Sequence, residues 1–598
     1  MLLVGVRVPA VLAGSHASHA LNEAKVSDPN AACAGCHREI YERYRKTPMA
    51  NASGPATEGF LPANFTHKPS GIAYRIDEEA GHVHLKFERE PEIGQSPQPG
   101  TLDRSLKGER ELRYFLGSGR RGRTFLFEQE GYWFEIPINW YAKKHLWDMA
   151  PGYLETREMP LTLPVDPGCL RCHASEAQPN LPEARNHYAG EPFLAGGITC
   201  TSCHGDAAAH LASGGHKPLM KLDQLEPVRR DSICLSCHLE GEETVVHEGK
   251  RLVDFRPGDN IFDYASYFVR RSSTAPGQAQ TRATSQWEAL LQSGCKRASG
   301  DKLTCTSCHD PHSSAAELSP TQRAAFYRAR CLTCHDPAGN PNPVSTDRAA
   351  QTAGSFAATH HPDKPDCLGC HMPAVASSDI AHEQVTDHGI PRIPEHLKPS
   401  VSSHKPPLLG AHDLIEIGPW TGTGADGKEL GELFPSDRDL GIAFALAAEK
   451  CDKAAALHAM QLLRQASTQV SAKTDDELHA QLAFFEQVLG DKQIARTEYV
   501  AALSANPDNS FAAGNLALLK IEDRRYSEAV TLWSRAFQDD PAELRAGMNL
   551  AIVECGLGHR EAALASLSRI LDFSPDYGPA RQLLQNLRSG NHTCGSKP

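Results

Sequence analysis

The chain has 598 residues, 40% hydrophobic and 22% charged, a composition that fits several folded domains and excludes a largely disordered chain. Its formal net charge of −12 argues against nucleic acid as a partner. The 18 cysteines sit in a chain too long for a disulfide-stapled mini-domain, so cysteine usage points to metal or cofactor attachment.

Residues 1–20 carry a short apolar run through Leu2, Leu3, Val4, Val11 and Leu12, followed by Ser18-His19-Ala20. The run is too short to span a bilayer and reads as a signal-peptide-like segment, cleaved after Ala20 and implying export. No other stretch reads as a transmembrane segment. Residues 21–57 hold a first Cys-x-x-Cys-His motif. Residues 58–160 have no cysteine and read as a β-rich insert, with Ala73-Tyr74-Arg75-Ile76, His82-Val83-His84-Leu85-Lys86-Phe87, Thr124-Phe125-Leu126-Phe127 and Tyr132-Trp133-Phe134-Glu135-Ile136 as strands. Within it, Gly117-Ser118-Gly119-Arg120-Arg121-Gly122 matches a dinucleotide-binding pattern. Strand-like sequence follows it rather than a helix, so a tight turn is expected. Residues 161–395 hold six more motifs, and the Pro/Gly/Ser-rich 396–435 reads as a linker.

Residues 436–590 repeat themselves. Pro507, Pro541 and Pro575 recur every 34 residues, as do Ala495, Ala529 and Ala563, and Leu482, Leu516 and Leu550. A 34-residue period with small residues at helix crossings marks a tetratricopeptide-repeat domain. Three repeats are expected over 474–575, with an irregular helical pair before them and a capping helix after. Such arrays present a concave face to a partner protein, or they only pack on the rest of the chain.

The repeating motif carries the chemistry. It occurs at Cys33-Ala34-Gly35-Cys36-His37, Cys169-Leu170-Arg171-Cys172-His173, Cys200-Thr201-Ser202-Cys203-His204, Cys234-Leu235-Ser236-Cys237-His238, Cys305-Thr306-Ser307-Cys308-His309, Cys331-Leu332-Thr333-Cys334-His335 and Cys367-Leu368-Gly369-Cys370-His371. Two cysteines three apart share one face of a helical turn, where both can bond the vinyl groups of one porphyrin; the next imidazole is then the proximal iron ligand. Chance at this composition gives about 0.03 such motifs per chain. Zinc ribbons also use Cys-x-x-Cys, but zinc gives no reason for a histidine after every second cysteine. Seven covalent haem c groups are therefore expected.

Candidates for the sixth iron position are Met49, His210, His312, His361, His382 and His388, with His67, His145 and His187 further down the order. Cys451 and Cys555 read as small buried thiols of the repeats, Cys594 as part of a polar tail, and Cys295 as inert or touching a haem. The expected fold is multidomain: a haem-packed, mostly α and loop cytochrome core with a β-rich insert, plus an all-α tetratricopeptide-repeat solenoid.

The chain resembles bacterial multihaem cytochromes related to the cytochrome c554 group and fused to tetratricopeptide repeats. The resemblance rests on Cys36-His37-Arg38-Glu39-Ile40-Tyr41 with Thr47-Pro48-Met49, on Gly197-Ile198-Thr199-Cys200, on Cys308-His309-Asp310-Pro311-His312, on Cys370-His371-Met372-Pro373 and on Thr386-Asp387-His388-Gly389-Ile390. The third motif departs from the family's usual Gly-Pro-Gly continuation, reading Gly205-Asp206-Ala207, while His210 is kept. The resemblance implies stacked haems and electron transfer in the periplasm or another extracytoplasmic space. The repeats would dock a redox partner protein. The alternative is a multihaem oxidoreductase acting on a small nitrogen or sulfur species at one open haem. In that reading Arg120, Arg121, Arg123, Tyr132 and Tyr141 would build an anion pocket over the first haem. No motif replaces its histidine by lysine, the mark of the catalytic haem in several multihaem reductases, which favours a carrier.

Overall fold

A computed structural model describes residues 28–90, 104–272, 280–281, 285–335, 366–374, 386–391, 414–419, 436–448 and 453–595. The signal-like segment, His361, His382 and Cys451 lie outside the described residues.

The β-rich part follows from period-2 patterning. Ala63–His67, Ile72–Glu79, His82–Arg89 and Leu106–Leu112 form an antiparallel meander, with Tyr74 opposite Phe87 and Ile76 opposite Leu85. A second, seven-stranded sheet holds Ser53–Pro55, Tyr114–Leu116, Gly122–Gln129, Tyr132–Glu135, Ile138–Tyr141, Leu146–Met149 and Leu163–Pro164. The two sheets share one core, in which Ile72, Tyr74, Leu85, Phe125, Phe127, Phe134 and Ile138 are buried. The glycine-rich run makes the hairpin turn into Gly122–Gln129. Gly117 sits at φ 91°, and a Cβ there would lie 2.6 Å from the Gly122 carbonyl oxygen.

The motif region is built from short helices: Ala31–Ala34, Pro167–His173, Thr201–His204, Pro227–His238, Cys305–Cys308, Pro320–His335 and Leu368–His371. It is not only helix and loop. Glu243–Val246, Ala265–Ser272 and Gln280–Thr281 form a sheet with Leu414–Ile417, which pairs Tyr267 with Ile417. The passage 396–435 therefore does more than link: four consecutive buried residues of it, Leu-Ile-Glu-Ile, complete this sheet as a short fully covered strand.

Helix pairs then stack as a solenoid: Asp437–Ala448 with Lys453–Ser467, Asp476–Leu489 with Lys492–Ala505, Ser510–Glu522 with Tyr526–Asp539, and Leu544–Gly556 with Arg560–Phe573, closed by Gly578–Ser589. Ala483, Ala495, Ala517, Ala529, Ala551 and Ala563 are fully buried where helices cross, and Pro507, Pro541 and Pro575 lie in the turns after the second helices. Asp475, Asp491 and Asn509 cap helix starts by accepting backbone N–H bonds.

Both ends of the solenoid are fixed to the rest of the chain. At one end Ile442 and Phe444 share a core with Val245, Phe268 and Leu414, while Arg438 donates to the Val246 carbonyl. At the other end Phe573 enters the β core and Asp576 accepts from Arg89, Arg581 and the Met159 amide. Cys555 and Cys594, read from sequence as a packing thiol and a tail residue, form a disulfide. The tail folds back over the last regular pair, where the Gly595 amide donates to the Cys555 carbonyl.

Candidate cofactor cavity

Each described motif closes one helical turn. The His37 amide donates to Cys33 O at 2.8 Å, His204 to Cys200 O at 3.0 Å, His309 to Cys305 O at 2.9 Å and His371 to Cys367 O at 2.9 Å. That geometry sets both sulfurs on one side and turns the imidazole away from them.

The turns converge. One continuous cavity of about 4070 Å³ is lined by all seven motif histidines and by every motif cysteine except Cys36. Ordinary small-molecule pockets measure about 300–1,000 Å³, so this space is of a size for several large cofactors together. The helix Pro320–His335 borders it and has no buried residue over 16 residues, although it carries Phe326, Tyr327 and Leu332. Such a helix gains too little from its own backbone to stand alone, and cofactor surface is what its apolar face fits.

Three motif histidines that line this space face a second histidine, of which His312 and His388 also line it and His210 does not. His37 and His210 have ring centres 6.4 Å apart and planes inclined by 18°. For His204 and His312 the values are 5.9 Å and 7°, and for His309 and His388 they are 6.3 Å and 27°. A metal–imidazole bond of about 2.0–2.1 Å, with the nitrogen about 1.1 Å from its ring centre, puts two imidazoles on opposite sides of one ion about 6.3 Å apart. The pairs therefore fit a shared metal rather than direct stacking.

The outer nitrogens are held as metal-ligating imidazoles require. His210 Nδ1 donates to Lys217 O at 2.6 Å, His388 Nδ1 to Thr386 O at 2.8 Å and His371 Nδ1 to Pro391 O at 3.0 Å. His312 Nδ1 lies 3.5 Å from the Asp310 carboxylate. Burial, then His312 and His37, push His204 below the usual imidazole value; burial, then His388 and His238, do the same to His309. Both are thus kept in the neutral form that binds metal.

The motifs also meet one another. Thiols of Cys33 and Cys200, Cys172 and Cys237, Cys234 and Cys305, and Cys331 and Cys367 are close enough to act on each other electrostatically. Cys203 and Cys237, and Cys308 and Cys334, lie within electrostatic reach. Among the described residues, no three His, Cys, Asp or Glu side chains converge as a bare-metal site.

Other sequence candidates have other places. Met49 lines the cavity beside the first motif, its carbonyl accepting from Ala52 and Ile198. His67 uses both ring nitrogens on Ser70 and Leu154, His187 pairs with Glu183 and stacks on Tyr132, and His145 stands in a turn at φ 51°. Of the anion pocket expected from Arg120, Arg121, Arg123, Tyr132 and Tyr141, the three arginines line the cavity together with His37, whereas the two tyrosines are not in its lining. Arg120 pairs with Glu317, Arg123 holds the Gly117 and Gly59 carbonyls, Tyr141 donates to Met149 O, and Tyr132 donates to Gln538 O and Asp539 O in the repeats. Tyr132 is turned to the repeats, while Tyr141 pairs with Gly122 beside the arginine turn and spends its hydroxyl on Met149 O. Sequence reasoning passed over Arg171 and Tyr327, although one is inside a motif and the other is four residues before one; the Tyr327 hydroxyl lies 3.5 Å from His309 Nδ1.

No protein-family model and no curated protein matches the chain. Solved structures similar to part of it include MamA of AMB-1, at 23% identity over 26% of this chain and 82% of that one, with a TM-score of 0.23. A tetratricopeptide repeat protein from Parabacteroides merdae matches at 20% identity over 26% and 62%, TM-score 0.23. PilF of Pseudomonas aeruginosa matches at 23% identity over 26% and 69%, TM-score 0.24. The C-terminal part is a tetratricopeptide-type helical repeat by its own geometry of 34-residue helix pairs. Among the described residues no helix is long and apolar enough to cross a membrane.

Proposed function

We propose that the chain is an exported multihaem c-type cytochrome that moves electrons along seven haem c groups. One observation carries the reading: all seven motif histidines line one cavity, and three of them each face a second histidine at 5.9–6.4 Å. Haem c, when bound, supplies one-electron redox chemistry at iron. The cysteine pairs would anchor it, and the seven motif histidines, with His210, His312 and His388 at the first, third and fifth motifs, would ligate its iron. Motif neighbours run first–third–fourth–fifth–sixth–seventh, with the second beside the fourth, which supports a relay rather than isolated sites. The Cys555–Cys594 disulfide supports an oxidising compartment outside the cytoplasm. Val488, Phe511, Leu518 and Ile552 are exposed on the first helices of the repeats and support docking of a redox partner protein.

A second reading, an oxidoreductase acting at an open haem, draws on His238 and His335. Neither faces a second histidine among the described residues, and both line the cavity. Electron paramagnetic resonance of the oxidised, export-matured protein separates the two. A carrier gives low-spin irons only, including bis-histidine signals. A high-spin iron that nitrite or hydroxylamine converts to low spin supports the enzyme, and an iron-free protein contradicts both.

A further inference from the structure

The histidines of the motif region differ in what holds the outer ring nitrogen. His210, His388 and His371 each direct Nδ1 at a backbone carbonyl, whereas His309 directs it at a side chain. The Tyr327 hydroxyl lies 3.5 Å from His309 Nδ1. The two rings meet edge to face, with centres 5.9 Å apart and planes inclined by 74°. Both residues line the cavity. Tyr327 stands on the helix Pro320–His335, where Tyr327, Cys331 and His335 follow at i, i+4 and i+8 and so share one face. Its neighbour Phe326 is outside the cavity lining and lies 5.2 Å from the Arg330 guanidinium. His309 closes the fifth motif and this helix carries the sixth, so the contact joins two motifs through side chains.

An imidazole that gives Nε2 to a metal keeps its remaining proton on Nδ1. A phenol holds its own proton at neutral pH and still offers lone pairs, so the Tyr327 oxygen can accept from Nδ1–H. An acceptor at that position fixes the orientation of the ring and makes its other nitrogen more basic. A more basic ligand favours the oxidised metal, which carries the higher charge. We infer that Tyr327 is a positioning residue for His309, tying the iron ligand of the fifth motif to the helix of the sixth. The inference rests on the cytochrome function proposed above. Without the hydroxyl, His309 is a weaker base and its iron is easier to reduce.

The test follows the low-spin signals of export-matured wild type, Tyr327→Phe and Phe326→Leu by electron paramagnetic resonance during a redox titration, with haem content counted first. The signal lost in His388→Ala identifies the iron of the fifth motif. Tyr327→Phe keeps the ring and removes only the oxygen. It is expected to raise that one midpoint, shifting the reduction equilibrium about threefold, or about 28 mV for one electron; the shift is small because the contact is long. Phe326→Leu, on the same helix, is expected to leave it in place. An unchanged or lowered midpoint in a Tyr327→Phe protein with seven haems overturns the role of Tyr327 and leaves the cytochrome reading intact. An equal shift in Phe326→Leu also overturns it, by showing that helix packing alone sets the potential. If wild type carries no haem, the cytochrome reading fails and this inference falls with it, an outcome the haem count tells apart from the other two.

Discussion

His204 and His312 face each other with ring centres 5.9 Å apart and planes only 7° from parallel. His312 lies three residues beyond His309, and His309 faces His388 in the same manner. One stretch of chain, 305–312, thus supplies a histidine to each of two facing pairs. Asp310 fixes its bend by accepting from the His312 amide at 3.0 Å and the Ser313 hydroxyl at 3.0 Å. Replacing His312 by Ala is expected to leave all haems attached and to convert one iron from low to high spin, read by electron paramagnetic resonance. A variant with an unchanged low-spin spectrum would remove His312 from the ligand set.

The helix Pro320–His335 is expected to form only with cofactor in place, because none of its residues is buried by protein alone. Trypsin should cut cofactor-free protein rapidly after Arg323, Arg328 and Arg330 and spare those bonds in matured protein. Equal cleavage in both would contradict the packing role assigned to the cofactors.

Arg89 and Asp576 form an ion pair with side chains only 8% and 3% exposed, joining the β core to the end of the solenoid. Removing one partner of a buried pair costs about 3–5 kcal/mol. Asp576→Ala should lose about that much in denaturant unfolding and expose the turn after Phe573 to protease. A loss below about 1 kcal/mol would show that the apolar contact of Phe573 alone holds this end.

Glu135 is pushed up from its ordinary 4.5 to about 7 by burial, with Thr124 acting weakly the other way. Its folded form therefore holds a proton that the unfolded chain has released between those values. The contribution to stability is present below about pH 4.5 and lost as pH rises through about 7. Glu135→Gln should flatten that decline, measured as the difference between urea midpoints of variant and wild type at pH 5 and pH 8. Parallel pH curves would refute the assignment.

The Cys555–Cys594 bond closes a separation of 39 residues, and such a crosslink contributes about 2–4 kcal/mol. Cys594→Ser is expected to lower the stability of the last repeat by that order, seen as earlier loss of helicity on heating. The same change in the Cys555→Ser, Cys594→Ser double variant would confirm that the pair acts as one unit.

Much of this was legible in the chain because it is periodic. The 34-residue recurrence of Ala495, Ala529 and Ala563 placed the helix pairs, since side chains this small let those helices approach closely. Alternation around Tyr74 and Phe125 placed the strands of the β-rich part. What stayed hidden lacks a local signal. Leu414–Ile417 is four residues long and finds its partner strand about 150 residues earlier, so its surroundings of Pro and Gly read as a linker. The pairing of Cys555 with Cys594 depends on the tail folding back, and the facing of His210 with His37 joins two motifs far apart in sequence. Tyr132 looked like a ligand-facing tyrosine because alternation fixes a face without saying what lies against it.

Intact mass spectrometry of the export-matured chain tests the central claim most directly. The account predicts a mass above the polypeptide, 65.0 kDa for the full sequence before any cleavage, by seven haem c groups that survive denaturation. A colourless protein at the polypeptide mass, with its fourteen motif thiols free to react, would contradict it.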